Sequence, residues 1–420
     1  MKLLDIRREV SGTLLLCLLG LFSSVGCQSQ SSRDSSGPLP SSEVHFEVGT
    51  SACDIPFRIV DNNMYVTIRI NDSVEVEAAF DSGLPLNGVL IIDSATGDKL
   101  GLTYVGSTPL GGAGDESSVA DIALGATISV PGVSFGGQQV LVARDTKRYK
   151  KWLAGAVIGG TLLNSCVVQI DHEKSLLHLY RNGSFDSRTS GEVLHITYSQ
   201  GIPVVDATLE HKGNSSARVK LLFDTGADIP FSLHSCDGLG VQPPPDAPKS
   251  YISEGIKGDV NGQWFRIDAI RIGSFRLDGC VVAYPSEGFD DVKTALGQNG
   301  FFGLGGQRRF TVTFDYPHSR IYLKPNSRFN DPFEFNMAGL VLRTLRSGAW
   351  EVMDVLPNSP GSAAGIKKGE SIVAVDGLSS SSISFAEMER MFARENQPMR
   401  LSINRGNRIL HAELILKRMI

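Results

Sequence analysis

The chain of 420 residues lacks the residue patterns on which metal-dependent and covalent enzymes rely. Its eight histidines show no H-E-x-x-H or comparable ligand spacing, and His172 and His195 are predicted to be surface residues. No G-x-S-x-G element stands out near 155–160. The stretch GLGGQ, at 303–307, lacks the Lys-Ser/Thr ending of a phosphate-binding loop. We therefore predict that the protein uses no metal and no cofactor.

An excess of positive charge is also absent. Lys and Arg number 40 against 45 Asp and Glu, and the net charge of -5 gives no electrostatic reason to expect nucleic acid as a partner. An apolar fraction of 41% and a charged fraction of 20% are typical of an ordinary globular protein, and the length suffices for two or three domains. The 45 glycines favour a loop-rich β protein over a helical bundle.

The apolar run TLLLCLLGLF, at 13–22, is too short to span a bilayer as a stable helix. Basic residues precede it and small residues follow it before Cys27, a secretory pattern that resembles the lipobox of bacterial lipoproteins. Ser24 stands where that motif usually has Leu, so a plain cleaved signal is the alternative. We predict a signal peptide over 1–27 with lipid on Cys27, and a flexible Ser/Pro/Gly-rich tether over 28–44.

Cysteine is scarce, with six in the whole chain. One lies inside the predicted signal and Cys27 would carry lipid, so the remaining ones are Cys53, Cys166, Cys236 and Cys280. An oxidising compartment would allow two disulfides in three possible pairings, and four buried free thiols are the alternative. The sequence leaves both possibilities open.

An internal repeat defines the organisation of the chain. EAAFDSGLPLNGVLI, at 77–91, resembles KLLFDTGADIPFSLH, at 220–234, and the two aspartates are 143 residues apart. Each copy has a glycine-rich partner downstream: Asp81 precedes Gly159 by 78 residues, and Asp224 precedes Gly303 by 79. Matched landmarks in one order and one spacing predict two homologous lobes, over 45–192 and 193–328.

Within each lobe the residue pattern is that of a β protein. MYVTIRINDSVEVEAAF, at 64–80, alternates apolar and polar residues around a polar turn, which predicts a hairpin. Strong helix signals are few before residue 335. The prediction for the lobes is therefore mainly β.

The last part of the chain, over 333–420, has a different pattern. SPGSAAGIKKGESIVAVDG predicts a helix over 362–366 between strands, and SFAEMERMFAR predicts a second helix with Ser384 as its N-cap. A hairpin should turn near Gly406. The run resembles a PDZ domain of the bacterial type, a small α+β fold. The resemblance implies a carboxylate-binding loop that contains Gly339, Leu340, Val341 and Leu342.

The Asp-Ser-Gly and Asp-Thr-Gly triplets, each followed by its downstream glycine motif, resemble those of clan AA aspartic proteases, and most closely the retropepsin-like, PDZ-linked bacterial proteins. The resemblance spans both lobes. It implies two retropepsin-like or pepsin-like β lobes related by a pseudo-two-fold axis, with a catalytic dyad of Asp81 and Asp224. It also implies supporting roles for the rest of both triplets, which are Ser82, Gly83, Thr225 and Gly226.

The chemistry of such a pair follows from electrostatics. Two carboxylates held about 3 Å apart cannot both ionise, so the pKa of one rises and the pair shares a proton. The protonated member can act as an acid and the ionised member as a base, as a coupled pair. Both lobes are on one chain, so a monomer suffices for the active site.

Substrate access is predicted to be controlled by flaps. In the first lobe the candidate is 103–118, where Tyr104 is a possible cleft aromatic and Gly111, Gly112 and Gly114 give mobility. In the second lobe it is 250–264, where Tyr251 and Trp264 could line the cleft.

The sequence thus predicts an aspartic endopeptidase that is secreted across the inner membrane and held at the membrane by a lipid anchor, in the periplasm or at the cell surface. The expected partner is a polypeptide substrate, captured through its C-terminus by the PDZ domain. The alternative is a non-catalytic peptide-binding or scaffold lipoprotein that retains the protease fold. A third possibility is an autoinhibited form with residues 28–60 in the cleft.

Overall fold

The structure is a computed structural model of the chain, and it describes residues 14–15, 43–144, 153–211, 215–406 and 408–420. The lipidation site Cys27 and almost all of the predicted signal and tether lie outside the described residues. The described chain forms two compact units, a larger one that ends at Phe335 and a smaller one over 336–419, with Leu153 assigned to the smaller and Ile420 to the larger.

The first half of the larger unit consists of strands and two short helices. These are β1 (Leu14–Leu15), β2 (Glu43–Phe46), β3 (Ser51–Val60), β4 (Asn63–Ile70), β5 (Val74–Phe80), β6 (Gly88–Ile91), α1 (Ser94–Lys99), β7 (Tyr104–Pro109), β8 (Val119–Val130), β9 (Val133–Ala143), β10 (Ala156–Ile158), α2 (Gly160–Leu163), β11 (Cys166–Asp171) and β12 (Leu176–Arg181). Strands β4 and β5 pair as the predicted hairpin. Strand β1, from the apolar N-terminal run, pairs in parallel with the second-half segment Glu254–Gly255.

The second half repeats this composition. Its elements are β13 (Glu192–His195), β14 (Thr197–Ser199), β15 (Ile202–His211), β16 (Ser215–Asp224), β17 (Phe231–Leu233), β18 (Lys249–Gly255), β19 (Gly258–Arg266), β20 (Ala269–Ile272), β21 (Phe275–Asp278), β22 (Val281–Glu287), α3 (Asp290–Leu296), β23 (Gly300–Gly303), α4 (Leu304–Gln307), β24 (Phe310–Asp315) and β25 (Arg320–Pro325). The helices are short, as expected for a chain with few helix signals in this part.

The two halves are related by the same strand arrangement. In the first, β10 lies between β5, to which it is parallel, and β6, to which it is antiparallel. In the second, β23 lies between β16 and β17 with the same directions. Strand β11 of one lobe pairs with β24 of the other, and one continuous hydrophobic core fills both lobes. The predicted fold class, a mainly β bilobal unit with a small α+β domain after it, is confirmed.

The smaller unit combines a sheet with two short helices. Its elements are β26 (Leu340–Thr344), β27 (Trp350–Val355), α5 (Pro360–Ala363), β28 (Ser371–Val375), β29 (Leu378–Ser379), α6 (Phe385–Phe392), β30 (Pro398–Arg405) and β31 (Arg408–Ile415). The Ser384 side chain accepts from the N–H of Glu387, so α6 has its predicted N-cap. Helix α5 begins two residues before the predicted 362–366 because Ser359 caps it and Pro360 occupies its first turn, and it ends three residues early, just before Gly365 with its φ of +71°.

Candidate active site

Each triplet follows a buried strand that a parallel neighbour holds in place. Phe80 ends β5 opposite Ile158 of β10, and the next residue, Asp81, donates its N–H to the Ile158 carbonyl at 2.8 Å. Asp224 ends β16 opposite Gly303 of β23. The apolar residue before each aspartate, Phe80 or Phe223, is buried in its own lobe, so the core fixes both loops.

The downstream glycines are explained by close approach of the main chain. A Cβ on Gly159 would overlap the carbonyl oxygen of Asp81, and a Cβ on Gly303 would overlap the carbonyl oxygens of Ala227 and Ile229. A side chain at either position would therefore push the triplet loop away. The need for glycine at this position in both lobes explains the matched spacing in the sequence.

The two hydroxyls bind across the lobe interface in a reciprocal pattern. The N–H of Ser82 donates to Thr225 Oγ1 at 2.8 Å, and the N–H of Thr225 donates to Ser82 Oγ at 2.9 Å. Ser82 Oγ donates to the Phe223 carbonyl at 2.8 Å, and Thr225 Oγ1 donates to the Phe80 carbonyl at 3.2 Å. These four buried bonds tie the base of one triplet loop to the base of the other.

The triplet glycines bring the carboxylates together. The N–H of Gly83 donates to Asp81 Oδ1 at 2.6 Å, and the N–H of Gly226 donates to Asp224 Oδ1 at 2.8 Å. A Cβ on Gly83 would lie 2.9 Å from Asp224 Oδ1, and one on Gly226 would overlap the Asp81 carboxylate. Each glycine therefore leaves the space that the carboxylate of the opposite lobe occupies.

Both carboxylates are sealed from solvent, with 0% of either residue exposed. Burial raises the pKa of Asp81 well above its usual range, and the neighbouring Asp224 raises it further through its charge and a shared hydrogen bond. The N–H groups of Gly83 and Leu84 oppose the rise. The arrangement is a carboxyl–carboxylate pair in which Asp81 retains its proton far above the pH at which a free aspartic acid ionises.

A third buried carboxylate lies nearby that sequence reasoning did not single out. Asp228 is 5% exposed, and its Oδ1 has no hydrogen-bond partner in the described structure. Burial raises the pKa of Asp228 well above its usual range, and the charges of Asp61 and Asp224 add to the rise. Its position four residues after Asp224, between Ala227 and Ile229, was the available signal: a second carboxylate in the same apolar stretch.

The predicted flaps form hairpins, but their aromatic residues differ in exposure. Tyr104 begins β7 and is 43% exposed, and Gly111 and Gly112 lie in the loop between β7 and β8. Tyr251 and Trp264, on β18 and β19, are buried, and the Trp264 indole donates to the Tyr251 carbonyl at 3.3 Å. The structure therefore places Trp264 and Tyr251 in one packed cluster and Tyr104 on the surface.

The cysteines are free thiols in the described structure, so the disulfide alternative is wrong. Cys53 is exposed, which also overturns the expectation that all four thiols are buried. Burial raises the pKa of Cys166 and of Cys280 to about 12, so neither thiol ionises readily.

The prediction of a surface position for His172 is wrong. The residue is buried, its ring packs edge-on against Phe57 with centroids 5.9 Å apart, and neither ring nitrogen has a partner in the described structure. Burial lowers the pKa of His172 to about 3, with the Arg308 charge adding to the effect. His195 is exposed, as predicted.

The residues of the predicted carboxylate-binding loop lead into the terminal strand of the smaller sheet. Gly339 has a φ of +70°, and a Cβ there would overlap the Ser359 side chain. Leu340, Val341 and Leu342 begin β26, which pairs with β27 at one end of the strand order. Among the described residues, no group of three His, Cys, Asp or Glu side chains could hold a metal ion. No described helix is long and apolar enough to cross a membrane.

Among the comparisons with known proteins, only the comparison with solved structures gives a match. No model of a protein family matches the chain, and no curated protein matches it. Among solved structures, the chain is similar to the aspartic proteinase from Irpex lacteus, with 11% identity and a TM-score of 0.36 over 67% of this chain and 99% of that one. The bilobal β architecture itself follows from the strand arrangement that the two lobes repeat. The case for chemistry rests on the geometry of the two carboxylates.

Proposed function

We propose that the protein is an aspartic endopeptidase. The observation that carries the proposal is the joining of Asp81 and Asp224 from two homologous loops, which are braced by the reciprocal bonds of Ser82 and Thr225. Buried carboxylates are costly to a fold unless they are paired, so a fold that retains two of them side by side indicates a chemical role. Reaction at this site requires no covalent intermediate.

The reaction follows from the protonation state. Burial and the neighbouring Asp224 raise the pKa of Asp81, so we assign the shared proton to Asp81 and the role of base to Asp224. A water molecule between them loses a proton to Asp224 while Asp81 donates its proton to the peptide carbonyl oxygen, and the water oxygen bonds to the carbonyl carbon. In the second step the tetrahedral intermediate loses a hydroxyl proton to Asp81, Asp224 gives its proton to the amide nitrogen, and the C–N bond breaks.

The smaller unit is proposed to be a PDZ domain that captures polypeptide C-termini. Support comes from the terminal position of β26 in its sheet and from the tight turn at Gly339 that precedes it. An extended peptide can add to such an edge by main-chain hydrogen bonds. We further propose that the protein is a lipoprotein anchored through Cys27, as the leader pattern suggests.

The test is cleavage of a peptide library over about pH 3 to 8 by the wild type, Asp81→Asn and Asp224→Asn. We expect cleavage by the wild type and a loss on the order of 10³-fold or more in either variant. Cleavage that persists in both variants would rule out the aspartic mechanism. A folded wild type that cleaves nothing would favour the non-catalytic peptide-binding alternative.

A further inference from the structure

The last strand of the smaller unit has one open edge. In the part of the chain that the structure describes, β31 stands at the end of the strand order and pairs with β30 alone. The N–H of Leu416 donates to the Gln397 carbonyl at 3.0 Å, so the main-chain groups at even-numbered positions of this stretch point towards β30. The N–H of Lys417 points the other way and donates to the Met337 carbonyl at 2.9 Å. The main-chain groups that point to the open edge of β31 are therefore those of Ile409, His411, Glu413 and Ile415.

The side chains of the same four residues form an exposed face beside this edge. Ile409 and Ile415 are 52% and 63% exposed, and His411 and Glu413 between them are exposed as well. Natural sheet edges are usually protected from pairing by lysine, proline or a bulge. Strand β31, which is described along its whole length, contains no lysine, no proline and no bulge. The edge is therefore suited to pairing with a further strand.

The order of residues along β31 matches its own reverse. We propose that this edge binds a second copy of the chain, by antiparallel pairing of the two β31 strands about Ala412. In this register Ile409 lies opposite Ile415 of the second copy, and His411 lies opposite Glu413 of the second copy. Each of these pairs occurs twice because the arrangement has two-fold symmetry. About eight main-chain hydrogen bonds join the strands, two for each opposed pair of outward residues.

Charge complementarity selects this register over its neighbours. Pairing centred on His411 would place Ile409 against the carboxylate of Glu413, and pairing centred on Glu413 would place two carboxylates opposite each other. Within one copy, His411 Nδ1 lies 3.2 Å from Ser402 Oγ. Glu413 lies beside Arg400, with an ion pair of 2.7 Å. The other ring nitrogen of His411, Nε2, is then available to bond the Glu413 carboxylate of the second copy.

The dimer is tested by sedimentation equilibrium of the full chain, in reducing buffer because Cys53 is exposed. An interface of one strand from each copy is small, so we expect a weak monomer–dimer equilibrium within about 1–300 µM. His411→Glu opposes two carboxylates and should raise the dissociation constant roughly tenfold or more. Adding Glu413→Lys to His411→Glu should restore dimerisation. The matched control is Asn404→Glu, which adds the same charge to the same face on β30 and should leave the equilibrium unchanged.

A monomer over the whole range, a dimer that His411→Glu leaves intact, or no recovery in the double variant would overturn the proposal. Hydrogen exchange on the wild type tests the same register without a substitution. As concentration rises, the outward amides of β31 should gain protection, while those of Leu410 and Ala412, already bonded to β30, should not change. Protection of the outward amides only when a peptide library is added would assign the edge to a polypeptide and overturn the second copy. Neither experiment depends on cleavage, so the result stands apart from the proposed function.

Discussion

Asp81 is an ionisable residue in a place where its charge is poorly stabilised. Its raised pKa means that the folded protein binds a proton that the unfolded chain releases above a pKa of 3.8. Stability is therefore lost as the pH rises from that value through the folded pKa of Asp81. Under the proposed function, this loss of stability at neutral pH is the cost of keeping a protonated acid in the dyad.

Asp81→Asn should consequently be more stable than the wild type at neutral pH, although the proposed mechanism predicts that it cleaves nothing. We expect a gain of about 1–3 kcal/mol at neutral pH, the usual cost of an imperfectly satisfied buried polar group, and no gain at about pH 3. Denaturant unfolding of both proteins at the two pH values measures the difference. A variant that is less stable at neutral pH would contradict the raised pKa.

His172 makes stability depend on pH in the direction opposite to that of Asp81. Its pKa is about 3 in the folded protein against 6.5 in the unfolded chain, so stability is lost as the pH falls from 6.5 towards 3. His172→Phe, which keeps the ring against Phe57, should remove part of this acid sensitivity, by up to about 1.4 kcal/mol per pH unit within that window. Urea unfolding of the two proteins at several pH values measures the gap. A gap that stays constant with pH would contradict the assignment.

At the scale of elements, the two triplet loops act as one braced unit. Thr225→Val keeps the side-chain volume but removes the acceptor for the Ser82 N–H and the donor to the Phe80 carbonyl. Leaving a buried donor unsatisfied costs about 1–3 kcal/mol, so Thr225→Val should lower the free energy of unfolding by that amount. Thr225→Ser keeps the hydroxyl and should lose less. If Thr225→Ser is destabilised as much as Thr225→Val, the brace is not what stabilises the interface.

The elements near the triplets could be predicted because the residue types that they need are set locally and occur in both copies of the internal repeat. The 78- and 79-residue spacings mark Gly159 and Gly303, each of which must leave room for a loop carbonyl of its own lobe. The α6 N-cap at Ser384 was equally local. Such signals survive in a single sequence because each depends on residues a few positions apart or on a repeated pattern.

What could not be predicted depends on contacts between distant segments. The N–H of Lys257 donates to the Ala113 carbonyl, 144 residues away, and such main-chain bonds leave no trace in residue type except the glycines beside them. His172 is polar in the sequence, but the turn that follows β11 places it in the interior. Helix α1, capped by the Asp93 side chain, is too short to show a helical period.

At the scale of the whole molecule, the chain divides into two compact units. Under the proposed function, a substitution that disturbs the smaller unit should change which substrates are cleaved, while the cleavage reaction itself is unaffected. Gly339→Ala would clash with Ser359 and displace the start of β26. We expect it to reduce cleavage of protein substrates several-fold while short-peptide cleavage is unchanged. The control is Gly365→Ala, where φ is +71° but a Cβ meets nothing within 4 Å. Equal effects on both substrate types would contradict a delivery role for the smaller unit.

The central claim is that Asp81 and Asp224 work as a single pair. The most direct test is a double-mutant cycle on kcat/KM, with Asp81→Asn, Asp224→Asn and the double variant, each shown to be folded. Groups that act as a unit lose nearly everything when one member is removed. We therefore predict a fall on the order of 10³-fold or more in each single variant and no further fall in the double variant. Additive losses, or one single variant with near wild-type activity, would contradict the account.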